Sequence, residues 1–376
     1  MKRKGTIRAI WIACLALVSL WLFPIVSSAA ETPSADELWQ QLRDSLPDLV
    51  ADRLPETPDE DAILELVGLR ALLSQLLSGL GDGLGEVLPL LASLLGFTLL
   101  GAVAEMLSAD TKSEGTRRLM GAALSASYAT LIWERARGGV TATVTLLDEL
   151  CETVGTAIPI LTAVQVAAGR GVSAAISSSG LSFGIMIVET VATAVLPAVA
   201  GCSFGFALIS SLGGELRLDG IAKSLRGLYL TVLGLLSFLL TTSLAMQRTL
   251  VGSADTAALR SAKYAVGTMI PIVGGTISSL LGTLGSSMTL LKNTVGVGVL
   301  AALLLLALPP LIYLLLARFS FSIAGAVAHL LGVGRLETLL SEFRGVYDMM
   351  LAVGAICCCM FLIALSLLLG GMGVSV

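Results

Sequence analysis

Long apolar runs, separated by short polar stretches, dominate the chain from residue 87 to the C-terminus. A run of about 20 apolar residues is long enough for a helix to cross the hydrocarbon layer of a bilayer. The pattern predicts about seven membrane-embedded helices, near residues 87–107, 119–134, 154–169, 181–211, 228–246, 294–317 and 346–369. The predicted fold class is an all-α, polytopic helical membrane protein.

Three stretches leave alternatives open at this stage. The run 181–211 is too long for one straight span and contains Pro197, so it is one kinked helix or two short ones. The stretch 264–291 is rich in glycine, serine and threonine, which is typical of a re-entrant or interfacial segment. The stretch 319–333 is similarly ambiguous.

The first 30 residues have the parts of an export signal. A basic end contains Lys2, Arg3 and Lys4, an apolar stretch runs over residues 9–23, and small residues at 28–30 provide a cleavage position. An uncleaved anchor helix is the alternative. Either interpretation places the following residues outside the cytoplasm.

Residues 31–86 are predicted to form an acidic, amphipathic, extracytoplasmic segment. It carries 13 acidic residues against three arginines, and leucines recur at helical spacing at positions 38, 42, 46 and 49. A second helix is predicted to start near Asp59, and the glycines between Gly79 and Gly85 predict a flexible hinge. The apolar stripe could pack on the membrane domain, on the bilayer surface or on a partner, and packing within the protein is favoured.

Composition supports residues 87–376 as one polytopic membrane domain. The chain is 55% hydrophobic and 13% charged, and its mean hydropathy is +0.91. A soluble domain usually has about 25% charged residues, so this much apolar surface needs lipid as its solvent. The net charge is −4 without a basic face, which argues against nucleic acid as a partner.

The membrane domain contains an internal repeat, with copies near residues 145–246 and 257–369. The stretch from Gly155 to Pro159 matches that from Gly267 to Pro271 at an offset of 112. Two further pairs match in the same order: Leu196-Pro197 with Leu308-Pro309, and Arg226-Gly227-Leu228-Tyr229 with Arg344-Gly345-Val346-Tyr347.

The repeated proline predicts a kinked or broken helix in each copy. Proline frees the carbonyl of the residue four before it, which is Gly155 in one copy and Gly267 in the other. If each copy crosses the membrane an odd number of times, the two copies have opposite topologies. Transporter folds with such inverted repeats have their sites between the repeats. Plain kinks for close packing are the alternative.

Three further polar residues are candidates for function. Glu189 lies inside the run 181–211, and an acid at membrane depth should face protein or water. A position at a helix end, or a protonated and packed carboxyl, is the alternative. Lys292 and Asn293 precede a strong span and are either an interface anchor or a pore-side group.

The sequence carries no motif for independent chemistry. It lacks a phosphate-binding Gly-x-x-x-x-Gly-Lys-Ser/Thr loop, a His-Glu-x-x-His zinc motif and a Gly-x-Ser-x-Gly nucleophile elbow. The cysteine cluster at 357–359 has no histidine nearby at metal-ligand spacing and is interpreted as packing. We therefore expect no catalytic residues, no metal and no cofactor, and any transport would use a gradient or a partner's ATPase.

The most recognisable stretch of the sequence runs from Asp255 to Gly296. Its characteristic positions are Asp255, Leu259, Arg260, Lys263, Gly267, Ile270-Pro271, Gly274-Gly275, Leu291-Lys292-Asn293 and Val295-Gly296. This stretch, together with the order of export signal, acidic segment and polytopic region, resembles the stage III sporulation protein AE family of endospore-forming bacteria.

The resemblance implies a function that composition does not. It implies a permease-like subunit of a channel complex in the mother-cell membrane around the forespore, needed for late forespore gene expression. The implied partners are other membrane subunits, a separate ATPase and a forespore membrane protein. The alternative function is an independent secondary transporter of a small solute. The resemblance supplies no catalytic residues.

Overall fold

The computed structural model describes residues 35–44, 55, 69–109, 114–167, 171–211, 219–269 and 274–370. The described residues form eight α-helices and one π-helix, which confirms the all-α fold class. The helices are α1 (Ala35–Asp44), α2 (Leu69–Ala109), α3 (Glu114–Ala167), α4 (Gly171–Ile187), the π-helix (Val188–Thr193), α5 (Leu196–Ser211), α6 (Asp219–Met269), α7 (Gly274–Leu330) and α8 (Gly334–Gly370). The predicted export signal and the helix predicted from Asp59 lie outside the described residues.

Five segments of the described chain are long and apolar enough to cross a membrane, which fits a multi-pass membrane protein. They are Leu77–Met106, Ala174–Ser210, Gly220–Gln247, Val295–Leu330 and Gly334–Leu368. Residues 119–134 and 154–167 belong to one continuous helix, α3, so the prediction of two separate spans there is wrong; α3 is not among the five segments. Acidic and basic residues near the middle of α3 lower its hydropathy.

The glycines of residues 79–85 lie within the continuous helix α2, so the predicted hinge is wrong. A Cβ added at Gly79 would lie 2.9 Å from Ile312 Cδ1, and one at Gly83 would lie 3.0 Å from Leu316 Cδ1. These glycines let α2 approach α7 closely, which is a common use of small residues between membrane helices. The domain boundary after residue 86 stays a prediction; residues on both sides of it belong to α2.

The helices alternate in direction along the bundle. Gly79 of α2 meets Ile312 of α7, and Gly83 meets Leu316, so α2 and α7 run the same way. Helix α3 returns beside them, since Gly101 of α2 meets Tyr128 near the start of α3. Helix α4 then runs back along α3, because Gly155 lies against Ile185.

Helices α6 and α8 run side by side in the same direction. Gly184 of α4 contacts both Leu240 of α6 and Phe361 of α8. At the other end, Arg226 of α6 contacts Gly345 of α8. The two matched segments of the sequence therefore run parallel to each other, and an inverted arrangement is excluded for them.

Helix α3 continues through Pro159, so the helix is not broken in the first matched segment, and a kink at this proline stays a prediction. Pro159 is exposed. Pro271 lies outside the described residues, between the end of α6 and the start of α7.

Helix α1 docks on the membrane domain, as favoured for the acidic segment. Its Trp39 is 1% exposed, and the indole Nε1 donates a hydrogen bond of 2.9 Å to the carbonyl oxygen of Pro55. The ring lies over Gly298 of α7, where an added Cβ would come within 2.5 Å of it. Helix α1 is thus anchored at the end of the bundle where the apolar part of α7 begins.

We expect Gly298→Ala to destabilise the protein. The new methyl would displace the Trp39 ring, and overpacking of this kind costs about 1–3 kcal/mol. The matched control is Gly205→Ala, whose methyl enters open space and adds helix propensity. Thermal unfolding in detergent should show a lower Tm for Gly298→Ala and an unchanged or higher Tm for Gly205→Ala; equal Tm values would contradict the tight contact.

Candidate functional site

The sequence-predicted residues do not converge on one site. A Cβ added at Gly155 would lie at an ordinary 3.8 Å from Ile185 Cδ1, and Pro159 is exposed. Glu189 is exposed on the π-helix. Gly267 lies in α6, and Lys292 and Asn293 lie in α7, in a stretch whose side chains are outside the described part of the structure. Pro271 lies outside the described residues altogether.

The π-helix arises where Pro197 interrupts the hydrogen-bond ladder between α4 and α5. The N–H of Ala194 bonds to the carbonyl of Glu189, five residues before it, at 3.2 Å. In this register the carbonyl of Ala192 would pair with the N–H of residue 197, which proline lacks. The hydroxyl of Tyr229 donates to the Ala192 carbonyl instead, at 3.0 Å in a buried position. The run 181–211 is therefore one interrupted passage rather than two separate spans.

Replacing Tyr229 with phenylalanine should leave the Ala192 carbonyl without a partner. We expect a loss of about 1–3 kcal/mol in the free energy of unfolding, the cost of a buried unsatisfied group. In a Pro197→Ala background, residue 197 regains an N–H, so the same change should cost less than half as much. Unfolding measurements on the double-mutant cycle test this coupling; additive effects would contradict it.

A buried ion pair joins the two matched Arg-Gly-x-Tyr segments. Arg226 Nη2 lies 2.7 Å from Glu342 Oε2, with 10% and 13% of the two side chains exposed. The guanidinium lies over Gly345, where a Cβ would come within 2.9 Å of it. A side chain at this position would displace the guanidinium.

Helix α3 presents a continuous exposed polar face. Residues three or four apart share one side of a helix, and the exposed members of this face, named here the α3 stripe, are Thr130, Glu134, Arg137, Thr141, Thr145, Asp148 and Glu152. The opposite face of the same helix carries fully buried residues such as Leu146, Leu147 and Leu150. The helix is amphipathic, but its polar side lies within the bundle's membrane-crossing length.

The middle of the α3 stripe lies at the mid-level of the apolar spans. A Cβ at Gly354 of α8 would contact both Leu311 of α7 and Leu146 of α3, at 3.0 and 3.2 Å. Leu311 and Gly354 are near the centres of their spans. With a rise of 1.5 Å per residue, Asp148 lies about 3 Å and Arg137 about 14 Å along the axis from that level.

Two cavities border the α3 stripe, one on each side. A cavity of about 340 Å³ lies between α3 and α5 and is lined by Trp133, Arg137, Val140, Thr141, Val144, Pro197 and Ala200. A second, of about 490 Å³, lies between α2, α3 and α7 and is lined by Glu86, Gly138, Ala142, Pro309, Pro310 and Tyr313. The stripe is thus the floor of a groove, named here the α3 groove, with Pro197 on one wall and Pro309 on the other.

The α3 groove is acidic near the Glu152 end of the α3 stripe. Asp148 and Glu152 are exposed on its floor, and Glu189 is exposed on the adjoining π-helix. Glu189 and Asp148 are the two charged groups that act on the buried thiol of Cys151, which places both carboxylates around the same turn of α3. Within the described residues, no ion pair neutralises these three acids, and no group of His, Cys, Asp and Glu is arranged to hold a metal ion.

Sequence analysis identified Glu189 but missed the rest of the α3 groove. The charges at positions 134, 137, 148 and 152 were not assigned to one face of a helix. A helical-spacing test across residues 130–152 shows the polar face, because its members recur every three or four residues. The groove's chemistry is that of a polar surface across the membrane, without an arranged nucleophile or metal.

Comparisons with known proteins bear on the family to which the chain belongs. The family model described as "Stage III sporulation protein AE (spore_III_AE)" matches residues 66–371. The chain is similar to Stage III sporulation protein AE of Bacillus subtilis (strain 168), with 27% identity over 217 residues, covering 56% of this chain and 53% of that relative. The chain thus aligns with about half the length of that curated relative. No solved structure matches the chain.

The family match covers α2 to α8 and with them both walls and the floor of the α3 groove. It extends over far more than half of the sequence, so the chain belongs to the stage III sporulation protein AE family.

Proposed function

We propose that the protein is a permease-like, non-enzymatic membrane subunit of the channel complex that links mother cell and forespore during sporulation. The observation that carries the proposal is the α3 stripe, a charged surface exposed at membrane depth on an otherwise apolar bundle. Charged side chains in a bilayer face protein or water rather than lipid. A surface of this kind suits a subunit that works within an assembly or lines a path.

The proposed partners are the other membrane subunits of the complex, its ATPase and a forespore membrane protein. The absence of a phosphate-binding loop from the sequence fits energy supplied by a separate ATPase. The proposed location is the mother-cell membrane that surrounds the forespore, where late forespore gene expression would depend on the complex. Membership of a sporulation family supports each of these assignments.

The double variant Asp148→Leu/Glu152→Leu tests the proposal in a sporulating host. Leucine is compatible with lipid, so membrane insertion and protein level should hold while the polar path is lost. We expect the yield of heat-resistant spores to fall by roughly tenfold or more, with arrest after engulfment. Immunoblotting and spore counts measure the two quantities.

The matched control is Leu235→Ala/Phe238→Ala, which trims the lipid-facing side of α6, where these side chains are 56% and 63% exposed. This control should sporulate normally. Normal spore yield in the Asp148→Leu/Glu152→Leu variant, at normal protein level, would contradict a role for the stripe. Failure of the wild-type protein to co-purify with other membrane proteins of sporulating cells would contradict the complex.

An independent secondary transporter is the second candidate function. It is favoured by exposed Glu189 on a π-helix beside Pro197, since interrupted membrane helices often carry transport sites. Purified protein in liposomes would then take up a solute, and Glu189→Gln would abolish the uptake. No uptake across a broad panel of solutes would remove this candidate.

A further inference from the structure

We propose that the α3 groove is filled with water from one membrane surface to beyond the mid-level of the bilayer, so that the α3 stripe lines an aqueous path on the side of the bundle away from α6. The inference rests on the proposed function in that it names the surface along which a channel subunit would contact water. Its physical argument, however, uses only the geometry of the described helices.

The α3 stripe has the length of a membrane crossing. From Thr130 to Glu152 there are 22 residue steps, and at 1.5 Å per residue these extend about 33 Å. The hydrocarbon layer is about 30 Å thick. Measured from Leu146, at the mid-level of the spans, the stripe extends about 24 Å to Thr130 and about 9 Å to Glu152, and polar side chains recur on the exposed face throughout. The polar face therefore leaves no apolar belt for lipid on this side of α3 from one membrane surface to beyond the mid-level.

Lipid is the least favourable neighbour for this face. A charged residue at the centre of a bilayer costs at least about 2.5–3.5 kcal/mol, and Asp148 lies close to the mid-level of α7 and α8. The other faces of the bundle show the contrast. On α6 the exposed side chains include Leu228, Val232, Leu235, Phe238 and Leu239, each at least two-fifths exposed, which is the composition of a lipid-contacting surface.

Direct contact with a second copy of the chain is also unfavourable. In a two-fold contact between copies of the same topology, equivalent residues lie at equal depth, so Asp148 would meet Asp148 and Glu152 would meet Glu152. Like charges at close range repel. A single partner helix could match Arg137 with an acid, but three exposed acids remain around one turn of α3. Water solvates all of these groups at once.

The walls of the α3 groove leave room for water. The cavities of about 340 Å³ and 490 Å³ open beside Thr141 and Gly138 respectively, and a water molecule occupies about 30 Å³ in the liquid. Arg137 borders the first cavity and Glu86 the second. Each cavity thus adjoins a charged group, and Arg137 and Thr141 are the polar residues of the first, whose other lining side chains are apolar.

Thiol accessibility in membranes from sporulating cells tests the proposal on the full-length protein in its complex. Thr141→Cys and Thr145→Cys place thiols on the groove floor. Leu235→Cys and Phe238→Cys place thiols at similar depth on the lipid-facing side of α6. The exposed native cysteines, Cys202 and Cys359, are replaced in all variants. The probe is a charged, membrane-impermeant methanethiosulfonate applied to vesicles opened to both sides.

We expect the two groove thiols to react at least about tenfold faster than the two lipid-facing thiols, because the reactive thiolate forms in water and not in hydrocarbon. Equal rates at all four positions would overturn the proposal. Slow reaction of the groove thiols in native membranes, with fast reaction only after the protein is purified away from its complex, would overturn it in favour of a partner helix that covers the groove.

Spore counts on the same four variants separate this inference from the proposed function. If the groove thiols are labelled fast but a strain that lacks the protein sporulates normally, the aqueous surface is upheld and the channel role is rejected. Slow labelling, in a strain whose spore yield depends on the protein, would reject the aqueous surface and leave the channel role in place.

Discussion

The cost of placing charge in hydrocarbon is the constraint on which the arrangement of this protein depends. Five apolar segments satisfy it by facing lipid, and α6 shows this with exposed Leu228, Leu235 and Phe238. Helix α3 cannot satisfy it in that way, because Asp148 and Glu152 are exposed near the middle of its length. The bundle therefore has an apolar side for the bilayer and a polar side that needs water or protein.

Close approach of helices makes this division possible. In lipid the hydrophobic effect does not drive helices together, so packing depends on small residues that let backbones meet. The ring of Tyr347 lies against Gly139 of α3, where an added Cβ would be 2.8 Å from it. Leu240 lies against Gly184 of α4 in the same way, with an added Cβ 2.9 Å from Leu240 Cδ2. These contacts fix α3 against α8 and α4 against α6, and so fix which side of α3 remains exposed.

The sequence predicted the apolar helices well and the polar helix poorly, for one physical reason. Hydropathy detects segments that contact lipid, so the spans in α6, α7 and α8 were located near residues 228–246, 294–317 and 346–369. It undervalues a helix such as α3 that is buried on one side and polar on the other. Local patterns were equally limited: the glycines at 79–85 predicted a hinge, and only the position of Ile312 shows that they serve packing.

The parallel course of the two matched segments explains where the groove lies. Helices α6 and α8 adjoin through Arg226, Glu342 and Gly345 on one side of the bundle. The proline-containing helices α5 and α7, which are matched in sequence, stand instead on either side of α3, with Pro197 lining one cavity and Pro309 the other. The groove therefore lies between α5 and α7, each of which contributes a proline, and a different charge borders each cavity: Arg137 at Pro197 and Glu86 at Pro309.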